Sequence, residues 1–166
     1  MVRFVTGGLI TALYLTAIAH AAQLPARASG LWQSKTSVFG PNDRPMAQAQ
    51  NVVTLTCVDP ETDQKFLLVG QSRCSELTVS GSGATYEING ICAQPAGTAK
   101  IHETLHYSSN KSVQLKANFS TSSGKISMTS NLQWIGECPA GMAPGDEGEM
   151  VNGSFVKAGN INDHNP

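Results

Sequence analysis

Charge is scarce in this chain of 166 residues, which has 11 Lys and Arg against 12 Asp and Glu, or 14% charged residues. An average domain has about 25%. The near-neutral balance excludes electrostatic binding of nucleic acid, which needs a clustered basic surface. Hydrophobic residues still make up 40% of the chain, which is enough for the core of one modest domain.

A hydrophobic run long enough to cross a membrane is also lacking. The uncharged run Phe4–Ile18 is shorter than the roughly 20 residues that a span needs. With Arg3 before it and Ala19-His20-Ala21 after it, the run predicts a secretory signal peptide over residues 1–21, cleaved after Ala21 or, alternatively, Ala22. An uncleaved anchor is the rival interpretation. We therefore expect a periplasmic or secreted protein with no transmembrane span after cleavage. No cysteine follows the run, so a lipid-modified N-terminal cysteine is excluded.

Cysteines are few and none are close together. The four are Cys57, Cys74, Cys92 and Cys138. An even count in an exported chain predicts two disulfides. A zinc site is the rival, but it usually needs close pairs such as C-x₂-C, and the gaps here are 17, 18 and 46 residues.

What the chain does contain is alternation of apolar and polar residues between short polar turns. Alternation is clearest from Val113 to Phe119 and from Ile126 to Trp134. It predicts a mainly β domain over residues 22–138, an antiparallel β-meander that forms a curved sheet or partly open barrel, with a sandwich as the alternative. One short helix is expected, with Asp59 as its cap, Pro60 at its first position and Gly70 at its end.

Residues 139–166 are rich in Gly, Pro and acidic residues and poor in apolar ones. Such a segment buries too little apolar surface to offset its ordering entropy. We therefore expect a mobile C-terminal tail, with at most a short ordered stretch around residues 153–156.

Strand parity bears on the disulfide pairing. If Leu77 and Val79 face the same way as Tyr86 and Ile88, one extra residue in a β-bulge at Asn89-Gly90 places Cys92 opposite Cys74. This favours Cys74–Cys92 and leaves Cys57–Cys138. The alternative is Cys57–Cys74 with Cys92–Cys138.

Several separated segments together resemble a known family. They are Gly30-Leu31-Trp32, Cys57-Val58-Asp59-Pro60-Glu61, Cys74, the turn at Val79-Ser80-Gly81, Cys92, and the closing block Ile135-Gly136-Glu137-Cys138-Pro139-Ala140-Gly141-Met142. Their order resembles that of the bacterial domain of unknown function 3617 family, small exported proteins common in proteobacteria. The resemblance implies an exported, Cys-bridged, β-rich domain. It implies no activity, cofactor or catalytic residue.

One motif points elsewhere: His102-Glu103-Thr104-Leu105-His106 matches H-E-x-x-H. On a helix the two histidines share a face and bind one zinc ion, and the glutamate serves as general base. On a strand the histidines lie roughly 13 Å apart and cannot chelate one ion. The alternation favours a strand with two exposed histidines. A metal-dependent hydrolase that uses His102, Glu103 and His106 remains the alternative function.

The same alternation points Glu103 inward, opposite Ala117, with Ile101, Leu105 and Tyr107. An inward carboxylate is costly unless it is paired or hydrated. Glu103 therefore lies at a wet edge or beside a lysine, or it is the polar anchor of a ligand cavity. Trp32 and Trp134 are predicted as core or seam residues, or alternatively as ligand-stacking ones.

These features predict an exported, non-catalytic binding or envelope-associated module without a cofactor. Its concave face or an edge would take an apolar ligand or an envelope component.

Overall fold

The protein is a single antiparallel sheet in a computed structural model that describes residues 23–68, 74–94, 97–122 and 124–163. The predicted signal peptide and Gly70 lie outside these residues. The sheet confirms the mainly β prediction and stays open, with β3 and β9 as its edges. Its order is β3-β4-β5-β6-β7-β1-β2-β8-β9, and the strands are β1 Gly30–Phe39, β2 Val52–Val58, β3 Cys74–Ser82, β4 Thr85–Gln94, β5 Gly97–Ser109, β6 Ser112–Thr121, β7 Gly124–Gly136, β8 Asp146–Val151 and β9 Ser154–Asn160.

One face of the sheet, here the inner face, carries the main core. Ile88 on β4, Leu105 on β5 and Val113 on β6 are at most 1% exposed. They share one cluster with Trp32 on β1 and Val58 on β2. Because strands far apart in the sheet contribute to one cluster, the sheet must curl around this face. The opposite face is called the outer face.

The short helix α1, Asp63–Leu67, begins later than the sequence suggests. Asp59 instead stabilises the turn before it, because its Oδ1 accepts hydrogen bonds from the backbone N–H groups of Glu61 and Thr62 at 3.1 and 2.9 Å. Burial raises the pKa of Asp59, but hydrogen bonds from Thr62 and Glu61 outweigh it and lower the pKa below its usual value. Leu67 of α1 and Leu24 of the N-terminal segment belong to the core cluster of the inner face. Among the residues described, no helix is both long and apolar enough to cross a membrane.

Both disulfides have the pairing that strand parity favours, Cys57–Cys138 and Cys74–Cys92. Two disulfides indicate an oxidising, non-cytoplasmic compartment. The bulge that aligns the second pair is not at Asn89-Gly90, so that part of the prediction is wrong.

The extra residue lies on β3, where Ser75 pairs with Ile91 and Thr78 pairs with Asn89. Strand β4 pairs without interruption with β5 from Thr85 to Gln94. A bulge on β4 would disturb two ladders, whereas one on the edge strand β3 disturbs only one.

The prediction that residues after 138 lack regular structure is also wrong, because β8 and β9 form a hairpin that extends the sheet beyond β2. Its anchors are mostly hydrogen bonds: the Gly145 N–H donates to the Cys57 carbonyl at 2.8 Å, and the Ile161 N–H to the Gly145 carbonyl at 2.8 Å. Met142 and Ile161 are buried beside these bonds. Backbone hydrogen bonds do not require apolar residues to alternate along the sequence, so alternation did not indicate this hairpin.

Candidate functional site

Two neighbouring rows of side chains cross the inner face at the end of the sheet away from α1 and Trp32. The first row, called the rim row, contains Gly90, Ile101, Phe119 and Ile126, each of which pairs with the next across strands β4 to β7. Leu77 completes it, because a Cβ at Gly90 would lie 3.2 Å from Leu77 Cδ1. The second, the Glu103 row, lies one step deeper and consists of Val79, Ile88, Glu103, Ala117, Met128 and Val38.

The rim row is partly open to solvent, whereas the centre of the Glu103 row is not. Leu77 is 38% exposed and Ile126 is 39% exposed, and Phe119 is half-buried between them. Glu103 is only 5% exposed. An apolar surface thus leads to a buried carboxylate.

The surroundings of Glu103 are apolar on all four sides. Ile88 and Ala117 lie beside it on the neighbouring strands, and Ile101 and Leu105 precede and follow it on the same face of β5. Burial of a carboxylate in such surroundings is unfavourable without compensating interactions. A buried ionisable group beside a partly open apolar surface is a candidate position for a functional site.

Small residues lie next to this carboxylate. Gly90 has no side chain in the rim row, and the buried Ala117 separates Glu103 from Met128 in the Glu103 row. The side chain of Leu77 fills the space beside Gly90, because a Cβ there would lie 3.2 Å from Leu77 Cδ1. Since the sheet curls around the inner face, the two rows form a shallow apolar depression over one buried acidic group.

The other half of the inner face is closed by a buried ion pair. Arg27 Nε donates to Asp63 Oδ1 at 2.6 Å, and the Arg27 backbone N–H donates to Asp63 Oδ2 at 2.9 Å. The guanidinium carbon lies 4.7 Å from the centre of the Trp32 ring. These contacts fasten the N-terminal segment onto α1 and the core.

Tyr107 lies in this closed half and packs edge-on against Tyr86, with ring centres 5.9 Å apart. Its hydroxyl is buried and has no hydrogen-bond partner among the residues described. Burial raises the pKa of Tyr107. Arg27 opposes the rise, while Asp63, Tyr86 and Glu103 add to it.

The structure does not bring Trp32 or Trp134 to the depression. Trp32 is 1% exposed, and its Nε1 donates to the Ala28 carbonyl at 2.7 Å. Trp134 Nε1 donates to the Ser29 carbonyl at 2.9 Å. The two residues are opposite each other on β1 and β7, and Trp134 lies six residues, or roughly 20 Å, along β7 from Met128. Both indoles therefore hold the N-terminal segment.

The H-E-x-x-H motif lies on strand β5, not on a helix. His102 and His106 are exposed on the outer face, where their Nδ1 atoms contact Asn89 Oδ1 at 2.8 Å and Thr85 Oγ1 at 3.1 Å. Glu103 points to the inner face, away from both. Within the described residues, no group of three or more His, Cys, Asp or Glu side chains could hold a metal ion. The helical geometry that the hydrolase alternative requires is not formed.

A cleft of about 440 Å³ does include His102, but it lies on the outer face. Its walls also include Glu76, Asn89, Lys100 and Asn118. The sequence gives no sign of this cleft, because it depends on the β3 bulge that brings Glu76 beside β4.

Comparison with known proteins places this architecture in a family. The model of a family described as protein of unknown function (DUF3617) matches residues 27–138. The match includes strands β1 to β7 and both rows of the depression, while the β8–β9 hairpin lies beyond it. No curated protein matches the chain.

Proposed function

The chain belongs to the DUF3617 family of proteins of unknown function, and we propose that it is an exported, non-catalytic binding module. It holds an apolar ligand, or the apolar part of an envelope component, in the depression of the inner face. The observation that carries this proposal is the pair of adjacent apolar rows, left partly exposed around the buried Glu103.

The exposed apolar side chains of the two rows indicate a binding site because they are contiguous. Single exposed apolar residues are normal on protein surfaces, but contiguous groups of them mark binding sites. Phe119 pairs directly with Ile126 on the next strand, and Met128 pairs with Val38. A ligand that covers these side chains gains about 25 cal/mol for each Å² of apolar surface removed from water.

Export has two independent supports. The sequence of residues 1–21 has the form of a signal peptide, and the two disulfides need an oxidising compartment. The fold adds a constraint, because Leu24 and Arg27 are each 5% exposed and belong to the core. Cleavage after Ala21 or Ala22 keeps both residues, whereas cleavage beyond Gln23 would remove Leu24.

The proposed binding can be measured with N-phenyl-naphthylamine, an uncharged dye that fluoresces in apolar surroundings. We expect saturable binding of one dye per chain to the mature, oxidised protein. The variant Ile126→Ser removes part of the rim row and should weaken binding by roughly 3- to 10-fold, the loss expected for one partly covered aliphatic side chain.

Strand β7 offers a matched control for that variant. Ile135 is 47% exposed, close to the 39% of Ile126, but strand parity puts it on the outer face. Ile135→Ser should therefore leave dye binding unchanged. The absence of saturable binding, or equal effects of the two variants, would refute the proposed site.

A further inference from the structure

We propose that the outer face of the sheet binds an acidic polysaccharide, a polymer whose anionic groups are separated by sugar rings. This face lies opposite the depression, so the inference goes beyond the proposed function and does not depend on it. It assigns to the chain a second binding site, with a polar chemistry unlike that of the first.

The first step concerns the distribution of charge. On the described strands β5, β6, β7 and β1, the positions that alternation turns outward hold four exposed lysines and no Asp or Glu. The lysines are Lys35, Lys100, Lys116 and Lys125. None of them forms an ion pair with a residue that the structure describes. The whole chain is slightly acidic, so the positive charge of this face arises from the strand register and not from the composition.

The acidic side chains that border the face lie outside these four strands. Glu76 and Glu87 are on β3 and β4, and Asp43 is in the turn after β1. The lysines therefore form a continuous positive surface over the middle of the sheet.

The second step concerns the spacing of the lysines. Lys100 and Lys125 flank Ser120 of β6, so they are two strands apart, or roughly 10 Å. Lys116 and Lys35 are also two strands apart but offset by two residues, which separates them by roughly 12 Å. Double-stranded DNA carries one charge for about every 1.7 Å of its axis. The face therefore matches a polymer whose charges are farther apart than those of a nucleic acid.

The third step concerns the side chains between the lysines. Many of them are hydroxyls and amides, including Thr104, Asn118, Thr129 and Asn131. These groups both donate and accept hydrogen bonds, as sugar hydroxyls do. Surfaces that bind lipid combine cations with apolar side chains that enter the membrane, but the outward positions of β5 and β6 hold none in the described strands. A glycan therefore fits this face better than a lipid bilayer does.

The fourth step concerns the outer-face cleft of about 440 Å³. Lys100 of β5 lines it together with Asn118 and Ser120 of β6, and Glu76 lines it on the side of β3. Lys100 can pair with an anionic group of the glycan, while the carboxylate of Glu76, two strands away, can accept hydrogen bonds from sugar hydroxyls. The volume is within the usual range of ligand sites. The cleft is thus where charge and hydroxyl recognition converge.

Calorimetric titration of alginate oligosaccharides, which are chains of sugar carboxylates, into the mature, oxidised protein tests the proposal. We expect saturable binding that is at least ~10-fold tighter than the binding of dextran, an uncharged glycan. Added salt should weaken the binding of alginate, because the lysines are exposed and their charges are screened.

The double variant Lys100→Gln/Lys125→Gln should weaken alginate binding by roughly 3- to 10-fold, the loss expected for two exposed charge contacts. Lys65→Gln/Lys111→Gln is the matched control. It removes the same charge from the inner side of the protein, where Lys65 is on α1 and Lys111 lies over the Trp134 ring, and it should leave the affinity unchanged. Near-ultraviolet circular dichroism checks that each variant is folded.

The variant Asn118→Ala distinguishes a glycan from other polyanions. It removes one amide from the cleft and should weaken alginate binding by roughly 2- to 10-fold, the loss expected for one hydrogen bond. The affinity for polyglutamate, which has carboxylates but no sugar hydroxyls, should be lower than that for alginate and should not change in this variant.

Each outcome bears on a separate part of the inference. Equal affinities for alginate and dextran, or equal effects of the two lysine double variants, would overturn the site on the outer face. Polyglutamate or phosphatidylglycerol vesicles that bind as tightly as alginate would overturn the choice of a glycan. None of these results affects the apolar site, which is measured with N-phenyl-naphthylamine, and Ile126→Ser should leave alginate binding unchanged.

Discussion

The two disulfides should differ in how much they stabilise the fold, because they close loops of different length. Cys57 and Cys138 are separated by 81 residues, and Cys74 and Cys92 by 18. In the chain-entropy model, these loops correspond to about 4.5 and 3.2 kcal/mol of stabilisation. Topology points the same way. Cys57–Cys138 ties β2 to the end of β7 across β1, whereas Cys74–Cys92 joins strands that are already paired.

The cysteines of the two disulfides are buried to similar extents, so the two losses of stability can be compared directly. Each pair joins one buried cysteine, Cys57 at 2% and Cys92 at 0% exposure, to one that is half-buried. Replacing both members of a pair by alanine therefore removes similar packing in the two cases. The difference between Cys57→Ala/Cys138→Ala and Cys74→Ala/Cys92→Ala then reports mainly on the loops.

Equilibrium unfolding in urea measures the two losses. We expect the Cys57/Cys138 double variant to be less stable than the Cys74/Cys92 variant by about 1 kcal/mol, which lowers its midpoint by roughly 0.5 M urea for an m-value of about 2 kcal/mol/M. Because small domains have a total stability of about 5–15 kcal/mol, the first variant should be close to unfolding at 37 °C. An equal or larger loss in the Cys74/Cys92 variant would refute the loop-length reasoning.

Three further predictions follow from individual contacts. Asp63→Asn leaves the Arg27 guanidinium buried without its charge partner, and should lower the free energy of unfolding by about 3–5 kcal/mol in urea titration; a loss below about 1 kcal/mol would show that the pair does not fasten the N-terminal segment. Burial raises the pKa of Asp146, but hydrogen bonds from Lys157, Asn160 and the Ala143 N–H outweigh it and lower the pKa below the 3.8 that is usual for an aspartate side chain. The unfolded chain then binds this proton more readily, so the contribution of Asp146 is fully present above pH 3.8 and is lost as the pH falls through the lower, folded pKa. Amide protection in β8 and β9, which compares the observed exchange rate with the intrinsic rate at each pH, should therefore fall at that acid step but not between pH 7 and 5, and Asp146→Asn should remove the step; an unchanged profile in the variant would contradict this assignment. Finally, the intact mass of protein exported to a bacterial periplasm should correspond to a chain that begins at Ala22 and lacks about 4 Da for two disulfides, whereas a mass that retains residues 1–21 would favour the uncleaved anchor.

Alternation of apolar residues was sufficient to predict the central strands of the sheet. It predicted the β6–β7 hairpin, and it placed Glu103 opposite Ala117, which the register confirms. Period-two patterns are informative here because β5 and β6 have one face in the core and one in solvent. The pairing of Cys74 with Cys92 followed from the same parity together with one assumed bulge, which the structure places on β3 rather than at Asn89-Gly90.

Features that depend on contacts between distant residues could not be predicted in this way. The position of the bulge depends on which strand is at the edge, and the edge is a property of the whole topology. The Arg27–Asp63 pair joins residues 36 apart in sequence. The β8–β9 hairpin is held through the backbone of Gly145 and through Asp146, so neither hydrophobic periodicity nor composition indicated it.

The candidate site depends both on alternation along single strands and on contacts between distant residues. The inward direction of Glu103 follows from the sequence, but the depression around it requires the register of β3, β4, β5, β6 and β7 together. Leu77 reaches the rim row because it lies two residues before Val79 on β3, in the register that pairs Val79 with Ile88. The positions of Gly90 and Ala117 beside Glu103 and Leu77 can be recognised only when the pairing of all the strands is known.

Strand geometry also decides how the H-E-x-x-H motif should be understood. On a helix, positions one and five share a face and position two lies close enough to act on the same ion. On a strand, positions one and five share a face roughly 13 Å apart, and position two points to the opposite face. His102 and His106 on the outer face of β5 and Glu103 on its inner face therefore cannot act on one substrate. The same period-two rule that separates them leaves Glu103 as the buried carboxyl group of an apolar surface, with Ile101 and Leu105 on the same face of β5.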